Sequence, residues 1–349
     1  MRRITSPRPP SLRIALCAIT ALAAIAGQLP QSQPVPFILD TDLGPDCDDA
    51  GAAAVLNALA TRGEAKILGA VCNTTSEWCA PALQAIFVWY HRDDVPVGTL
   101  KGPGNPGGSA EWYGESFNRY IAEHSPNRLH SGKNAPDAVA VYRRALASQP
   151  DGSVVIASVG NTTNLRDLLR SKADAISPLN GLELVRRKVK LLSVMGGTFP
   201  VGPPKDPNLY GHLSASQELL EQWPTPIMFS GIEIGKDLMT GDGLSDATPP
   251  SSPVRIAYEH WDAHFWPIWD PKYRPGRIKP HSTYDQTAVL YGIRGLAGYW
   301  NSSGPGTVAI GNNGAARWTA APNGTRRYLI EKMSRKELAA IIEALMETR

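Results

Sequence analysis

Five aspartates crowd into ten residues near the start of the chain, in the run Asp40-Thr41-Asp42-Leu43-Gly44-Pro45-Asp46-Cys47-Asp48-Asp49. Carboxylates at this density repel one another, so a cation is needed to neutralise them, and ligand sets made only of oxygen select Ca²⁺ or Mg²⁺. Gly44 lets the chain turn tightly enough for the acids to converge. Helix capping is the structural alternative, but capping accounts for one or two acids and not for five. The run therefore predicts a metal site able to activate a water molecule.

The elements around this run follow a regular alternation. Short apolar runs typical of strands occur at residues 35–39, 66–72, 95–100, 153–158, 190–195 and 226–230. Longer runs with helical spacing occur at residues 49–61, 77–90, 136–148, 163–171, 214–223, 285–293 and 334–347. This alternation predicts an α/β fold with a mostly parallel, Rossmann-like open sheet flanked by helices. Ligands of such sheets bind at the carboxyl ends of the strands, and the acidic run directly follows the first strand.

The remaining segments predict loops within a single domain. Residues 101–110 and 200–207 are rich in proline and glycine, and residues 264–283 are rich in aromatic and basic residues. Pro96 places the third predicted strand at an edge of the sheet, because proline cannot donate to a neighbouring strand. With 42% hydrophobic residues the chain can bury a full core.

The N-terminus has the pattern of a secretory signal peptide over residues 1–26. A basic start without acids precedes an apolar run that is short for a membrane span, and Ala24-Ile25-Ala26 forms a cleavage motif before Gly27. We therefore expect a periplasmic or secreted protein whose single domain covers residues 27–349. An uncleaved N-terminal anchor is the alternative.

Charge and cysteine content narrow the class further. Removal of residues 1–26 takes four arginines away and leaves 31 basic against 32 acidic residues, a net charge of −1, so nothing indicates nucleic acid as a partner. After cleavage no membrane contact is expected, and the sequence does not decide whether the protein forms a homo-oligomer. The remaining cysteines, Cys47, Cys72 and Cys79, have no zinc spacing. One disulfide can form in an oxidising compartment, and the sequence does not say between which two.

The acidic run resembles the N-terminal fingerprint of the calcium-dependent nucleoside hydrolases, which include inosine/uridine-preferring enzymes, in the D-T-D-x-G-x-D-x-D-D-A form of some bacterial members. The resemblance continues in order from about residue 36 to about residue 345. Weaker matching segments lie at residues 69–73 (GAVCN), 159–165 (VGNTTNL), 195–197 with 206–208 (MGG and DPN) and 284–288 (YDQTA). The first motif is highly specific, and the others are persuasive through their order. The resemblance implies a nucleoside hydrolase-like domain.

By this resemblance the cofactor is Ca²⁺, bound by the side chains of Asp42, Asp49 and Asp285 and by the backbone carbonyl of Thr163. Asp42 would also be the general base that takes a proton from a calcium-bound water attacking the anomeric carbon. The implied reaction is hydrolysis of the N-glycosidic bond of a ribonucleoside or related N-riboside, through an oxocarbenium-like transition state. As plain structural residues, Thr163 and Asp285 would instead cap or begin helices.

The resemblance also assigns substrate contacts. Asp48, Asn73 and Asn208 would hold ribose hydroxyls, and Asp206 would take the position of the family's Glu near the 5′ side. Read alone, the two asparagines are equally typical of turns.

Two positions depart from the family pattern. Tyr284 stands in the substrate site where many members have the histidine that protonates the leaving base, and His281 is near in sequence but out of register. Pro200 stands where the family has an Asn. Leaving-group activation and recognition of the 5′-hydroxyl are therefore expected to differ in this chain.

Two other functions fit parts of the sequence. Asp40-x-Asp42 after a strand, together with the G-D-G-L-S-D segment at residues 241–246, imitates a haloacid-dehalogenase-type phosphatase with Asp40 as nucleophile and magnesium as cofactor. However, the strand expected before the second motif is missing, as is the usual Gly-Thr or Gly-Val after the second Asp. A calcium-stabilised protein that binds nucleosides or sugars without cleaving them is the third interpretation.

Several aromatic residues are candidates for stacking a nucleobase, and they are equally typical of a packed hydrophobic cluster. They are Trp261, Phe265, Trp266, Trp269 and Tyr273.

Overall fold

The computed structural model describes residues 33–44, 46–102 and 117–349. Its strands are β1 (Val35–Thr41), β2 (Ala65–Cys72), β3 (Val97–Thr99), β4 (Val154–Val159), β5 (Val189–Met195), β6 (Ile227–Ser230), β7 (Met239–Thr240), β8 (His281–Ser282), β9 (Trp300–Ser302), β10 (Gly306–Ile310), β11 (Ala316–Ala320) and β12 (Arg326–Glu331). Its helices are α1 (Asp48–Thr61), α2 (Cys79–Trp89), α3 (Phe117–His124), α4 (Ala138–Ala147), α5 (Thr163–Arg170), α6 (Gly181–Lys188), α7 (Pro207–Tyr210), α8 (Leu213–Gln222), α9 (Ile232–Gly235), α10 (Leu244–Ala247), α11 (Pro253–Trp269), α12 (Asp285–Arg294) and α13 (Arg335–Met346).

The main sheet runs in the order β11-β10-β12-β6-β5-β4-β1-β2-β3, with β9 pairing β12. The strands from β6 to β3 are parallel neighbours, and antiparallel pairs occur only among β9–β12 within this sheet. β1 lies between β2 and β4, with Thr41 level with Cys72 and Val159. The residues that follow these three strands therefore meet at one edge of the sheet.

Hydrophobic side chains pack on both faces of the sheet. Phe37 and Leu39 belong to one buried cluster with α1, α2, α12 and α13, whereas Ile38 between them belongs to a second cluster with α4, α5, α6 and α8. Alternation of this kind is the period-two pattern of a strand covered on both sides. The predicted α/β fold with a mostly parallel sheet flanked by helices is confirmed, and β3 lies at the edge as Pro96 indicated.

The stretch at residues 264–283 is not wholly a loop as predicted. α11 begins with Ser252 as its N-cap and continues to Trp269, with Pro267 in its last turn. Its Trp261 ring packs against Phe265 and His281. The loop prediction at 101–110 falls mostly on undescribed residues, as do the signal peptide and the domain boundary at residue 27. Pro34–Arg349 form one compact unit. Among the described residues, no helix is long and apolar enough to cross a membrane.

Candidate active site

The acidic run occupies the turn between β1 and α1, at the centre of the sheet's carboxyl edge. Thr41 closes this turn: its hydroxyl donates to the carboxylate of Asp49 and accepts the backbone N–H of Leu43 at 3.2 Å. Asp48 and Asp49 begin α1, and both are buried. The local fold therefore directs the carboxylates inward and away from solvent.

Three buried carboxylates converge on one point. Asp48, Asp49 and Asp285 each offer an oxygen, and these oxygens lie within 4.8 Å of one another. Two oxygens bound to one calcium ion at about 2.3–2.6 Å are at most about 5 Å apart, so this cluster fits a calcium-sized cation held by oxygen ligands. Burial, followed by the charge of Asp48, raises the pKa of Asp285 well above its ordinary value. A cation here would relieve that repulsion, and the donor set fits a divalent metal that prefers oxygen ligands.

Asp42 stands beside this cluster. Burial, followed by the charge of Asp46, raises its pKa to about 7, and the charge of Asp42 in turn raises the pKa of Asp49 after the larger effect of burial. A Cβ atom at Gly160 would lie 2.6 Å from Oδ1 of Asp42, so only glycine allows the turn after β4 to come this close. Asp42 is thus enclosed between the acidic cluster and that turn.

Thr163 is the first residue of α5, in the turn that approaches Asp42. It is fully buried, and its hydroxyl is hydrogen-bonded to Nδ1 of His212 at 2.8 Å. The side chain of Thr163 is therefore held by His212, the residue before α8.

Asp40 ties the three central strands together. Its carboxylate accepts from Tyr142 at 2.7 Å, from Asn73 at 2.9 Å and from Asn164 at 3.2 Å. Asn73 also accepts the backbone N–H of Asn161 at 3.0 Å. The predicted ribose contact Asn73 is thus fully buried and hydrogen-bonded on both sides of its amide, where it links the ends of β1, β2 and β4.

The predicted contacts near the 5′ side lie after β5. Asp206 caps α7, with one carboxylate oxygen accepting from Leu209 N–H at 2.9 Å and the other from Gly197 N–H at 2.8 Å. Asn208 donates to the carbonyl of Met195 at 3.2 Å. Both residues face the end of β5, and both make contacts that shape the turn after it.

Tyr284 and His281 both lie beside the acidic run. The backbone N–H of Tyr284 donates to Asp48 at 3.0 Å, while its ring packs against Gly235 and burial raises its pKa. Nε2 of His281 lies 3.9 Å from a carboxylate oxygen of Asp46, and its ring lies 4.1 Å from that of Trp261. The fold thus brings His281 to the acidic run, which its sequence register did not indicate.

Comparison with known proteins decides the family. Residues 37–295 match the family model described as inosine-uridine preferring nucleoside hydrolase. The chain belongs to this family. It is a nucleoside hydrolase, an enzyme of N-ribosyl hydrolysis. No curated protein matches its sequence.

Several solved structures share this fold with the nucleoside hydrolase over nearly the whole length of its chain. The type III effector protein XopQ, complexed with adenosine diphosphate ribose, has a TM-score of 0.68 and 15% identity, covering 91% of this chain and 93% of its own. The plant nucleoside hydrolase PpNRh1 has a TM-score of 0.61 and 17% identity, with 90% and 100% covered. The inosine-uridine preferring nucleoside hydrolase of Bacillus anthracis has a TM-score of 0.59 and 13% identity, with 90% and 99% covered. At these identities the likeness shows a shared fold.

The phosphatase interpretation is wrong for this nucleoside hydrolase. Asp40 would have to attack a phosphate ester, but it is fully buried and its carboxylate is engaged by three side chains. Gly241 and Gly243 belong to a turn clamped by Glu343, which accepts their N–H groups at 2.6 Å and 2.9 Å. Asp246 of the same segment pairs with Arg277 at the surface.

The aromatic candidates of the nucleoside hydrolase form a packed cluster along α11. Trp261 is buried against Phe265, with ring centroids 4.0 Å apart. The Lys279 amine lies 4.3 Å from the ring of Trp266, and Tyr273 donates to Asp262 at 2.6 Å. The Trp269 side chain lies outside the described residues. The Trp261 ring contacts that of His281, which lies beside Asp46 of the acidic run.

The cysteine pairing that the sequence left open is between Cys72 and Cys79. The bond joins the end of β2 to the start of α2, directly beside Asn73, while Cys47 is free and buried. It closes the short loop that follows the ribose-contact candidate.

Proposed function

We propose that this nucleoside hydrolase binds calcium at the acidic cluster and cleaves the N-glycosidic bond of ribonucleosides or related N-ribosides, with Asp42 as general base. The observation that carries the proposal is the convergence of Asp48, Asp49 and Asp285 within 4.8 Å, beside the buried Asp42. When bound, calcium supplies a positive charge that orients the water and the ribose hydroxyls and makes that water more acidic.

Asp42 is suited to move the proton. Without a metal, burial and the charge of Asp46 raise its pKa to about 7. A cation bound beside it would favour the carboxylate form, which is the form that can accept a proton from water. The proton leaves the attacking water for a carboxylate oxygen of Asp42 as the water's oxygen bonds to the anomeric carbon. The bond from that carbon to the nucleobase breaks, and its electron pair stays on the nucleobase nitrogen, which then gains a proton.

Ligand assignment follows the resemblance and the cluster together. Asp42, Asp49, Asp285 and the carbonyl of Thr163 would hold the ion. Asp48, whose Oδ2 accepts the N–H groups of Tyr284 and Asp285, would contact ribose hydroxyls. Asn73 and Asn208 would bracket the sugar from the ends of β2 and β5.

A release assay tests the proposal directly. Purified mature protein is incubated with a panel of purine and pyrimidine nucleosides, and free ribose is measured as reducing sugar. We expect release that stops with a calcium chelator and returns with Ca²⁺ but not with Mg²⁺. Tight nucleoside binding without any ribose release would instead support the non-catalytic binding protein, and release that is indifferent to chelation would exclude the metal.

We further propose export to the periplasm or the medium. The Cys72–Cys79 disulfide supports an oxidising compartment, as does the signal-peptide pattern at the N-terminus. N-terminal sequencing of protein from the host's exported fraction should begin near Gly27. A chain starting at Met1 in the soluble cytoplasmic fraction would contradict export.

A further inference from the structure

The turn after β6 carries an acid that no sequence motif singled out. Both carboxylate oxygens of Glu233 are shielded from solvent, and neither has a hydrogen-bond partner of good geometry among the described residues. The backbone N–H groups of Glu233 and Phe199 lie close enough only to favour the ionised carboxylate. Buried polar atoms in native proteins are nearly always paired, and an unpaired carboxylate is costly. A carboxylate in this state is available to accept a hydrogen bond from a ligand that binds beside it.

Glu233 lies at the edge of the sheet where the ligand is expected. It follows β6, and the neighbouring Ile232 donates its N–H to the carbonyl of Gly197, just past the end of β5. Its carboxylate is close enough to Asp206 for the charge of that residue to act on it. Glu233 therefore stands next to the segment that the resemblance assigns to the 5′ side of the substrate.

The residues assigned to the 5′ side have few hydrogen-bonding groups available for a substrate. Asp206 uses one carboxylate oxygen for the N–H of Leu209 and the other for the N–H of Gly197. Pro200 has neither an N–H group nor a polar side chain. The two carboxylate oxygens of Glu233, by contrast, have no hydrogen-bond partner of good geometry among the described residues.

The fold makes room for this carboxylate. The Glu233 carboxylate folds back over Gly231, where a Cβ atom would lie 2.3 Å from Oε2 of Glu233. Burial, with smaller contributions from Asp206 and Glu331, raises the pKa of Glu233 to about 7, although nearby backbone N–H groups oppose the rise. Two neighbouring acids give this end of the site an electronegative character.

Resting on the proposed function, we propose that Glu233 sets specificity at the 5′ end: it accepts a hydrogen bond from the 5′-hydroxyl of the riboside, and with Asp206 it rejects 5′-phosphorylated ribosides. A hydroxyl is a good donor to a carboxylate. A phosphate has no donor to give when ionised, and its charge is repelled at short range in a buried site.

The test compares kcat/KM for inosine, 5′-deoxyinosine and inosine 5′-monophosphate. Wild-type protein should prefer inosine over 5′-deoxyinosine by about 10–150-fold, the range for one hydrogen bond to a charged group. Glu233→Ala should lose that preference by slowing inosine alone. Glu233→Gln, which keeps the shape without the charge, should raise the rate on the monophosphate relative to inosine by about tenfold or more. Glu221→Ala, an exposed acid on the outer helix α8, is the matched control and should leave all three ratios unchanged.

Each other outcome overturns the inference. Equal wild-type rates on inosine and 5′-deoxyinosine would remove the 5′-hydroxyl contact even if Glu233→Ala fails to fold. A loss by the same factor on both substrates in Glu233→Ala, or unchanged ratios in a folded Glu233→Gln, would make Glu233 a structural residue only. In those cases the wild-type enzyme still releases ribose, whereas failure of the proposed function would show as no release from any of the three compounds, and would overturn this inference with it.

Discussion

Asp48 and Asp285 are joined directly: the backbone N–H of Asp285 donates to Oδ2 of Asp48 at 3.0 Å. The N–H of Tyr284 donates to the same oxygen at 3.0 Å. This contact links the acidic run after β1 to the start of α12, 237 residues further along the chain. The main chain at the start of α12 thus holds the side chain of Asp48. The carboxylates are therefore positioned before any ion binds, which favours tight and selective binding of the ion.

Calcium should stabilise the wild-type fold and not the fold of variants lacking a cluster carboxylate. At a free calcium concentration of 100 times Kd the stabilisation is about 2.7 kcal/mol, because the ion binds only the folded state. Thermal unfolding and metal analysis of Asp49→Ala and Asp285→Ala should show loss of both the stabilisation and the bound ion. Asp246→Ala, which removes an exposed ion pair, should behave as wild type. Full calcium occupancy in both cluster variants would show that other residues hold the metal.

The metal-free protein should lose stability as pH rises. Burial raises the pKa values of Asp40 and Asp42 to about 7 in the folded state, from an ordinary value of 3.8. The folded state then binds more protons than the unfolded state, so this contribution is fully present below about pH 4 and is lost as pH rises towards about 7. With calcium the trend should reverse, because the ion binds deprotonated carboxylates.

Melting temperatures in chelator and in calcium, measured from about pH 5 to about pH 8, check this crossing of the two trends. Asp42→Asn should flatten the metal-free curve. A melting temperature that rises steadily with pH in the metal-free protein would contradict the raised pKa values of these buried carboxylates.

The leaving group should govern which ribosides are cut quickly. Tyr284 replaces the histidine of many family members, and burial raises its pKa further, so it is a poor acid near neutral pH. A nitrophenyl riboside needs no protonation, and we expect it to be cleaved faster than inosine or uridine. Tyr284→Phe should leave this ratio nearly unchanged. Faster cleavage of inosine than of the nitrophenyl riboside would mean that another group protonates the base, and selective loss of that activity in His281→Gln would identify it.

Local pattern was enough to predict the six parallel strands β1–β6 and the start of the site. Residues 35–39 are apolar in every position, and the acids that follow them can be read directly from the sequence, so β1, α1 and the turn between them are close to expectation. The C-terminal strands β9–β12 were missed. Their alternating exposed and buried residues, as in β10, give a weak signal beside the continuous apolar runs of the central strands.

Contacts between distant segments were beyond sequence reasoning. Motif order assigned Asp206 to the substrate, but whether its oxygens are spent on Gly197 and Leu209 depends on the turn geometry after β5. Glu233, whose carboxylate lacks a hydrogen-bond partner of good geometry among the described residues, belongs to no recognisable sequence motif. The approach of His281 to Asp46 likewise depends on β8 pairing with β7, a two-residue interaction with little sequence signature.

The Cys72–Cys79 disulfide should stabilise the loop that follows Asn73. For so short a loop, the chain-entropy account gives about 2–3 kcal/mol. Replacing both cysteines by serine should lower the unfolding free energy by about that amount and raise KM more than it lowers kcat, because Asn73 would be less firmly placed. Reductant should reproduce the effect in wild type and add nothing in the double variant. An unchanged unfolding free energy after verified reduction would contradict a stabilising role.

The most direct test of the account is the turnover rate of Asp42→Asn with its calcium content measured in the same sample. With calcium retained, kcat on the nitrophenyl riboside should fall by about 10²–10⁴-fold, the usual contribution of a positioned general base, while nucleoside binding stays close to wild type. A larger loss together with loss of calcium would show that Asp42 also holds the ion, as the ligand assignment implies. A folded Asp42→Asn that keeps wild-type kcat would contradict the central claim.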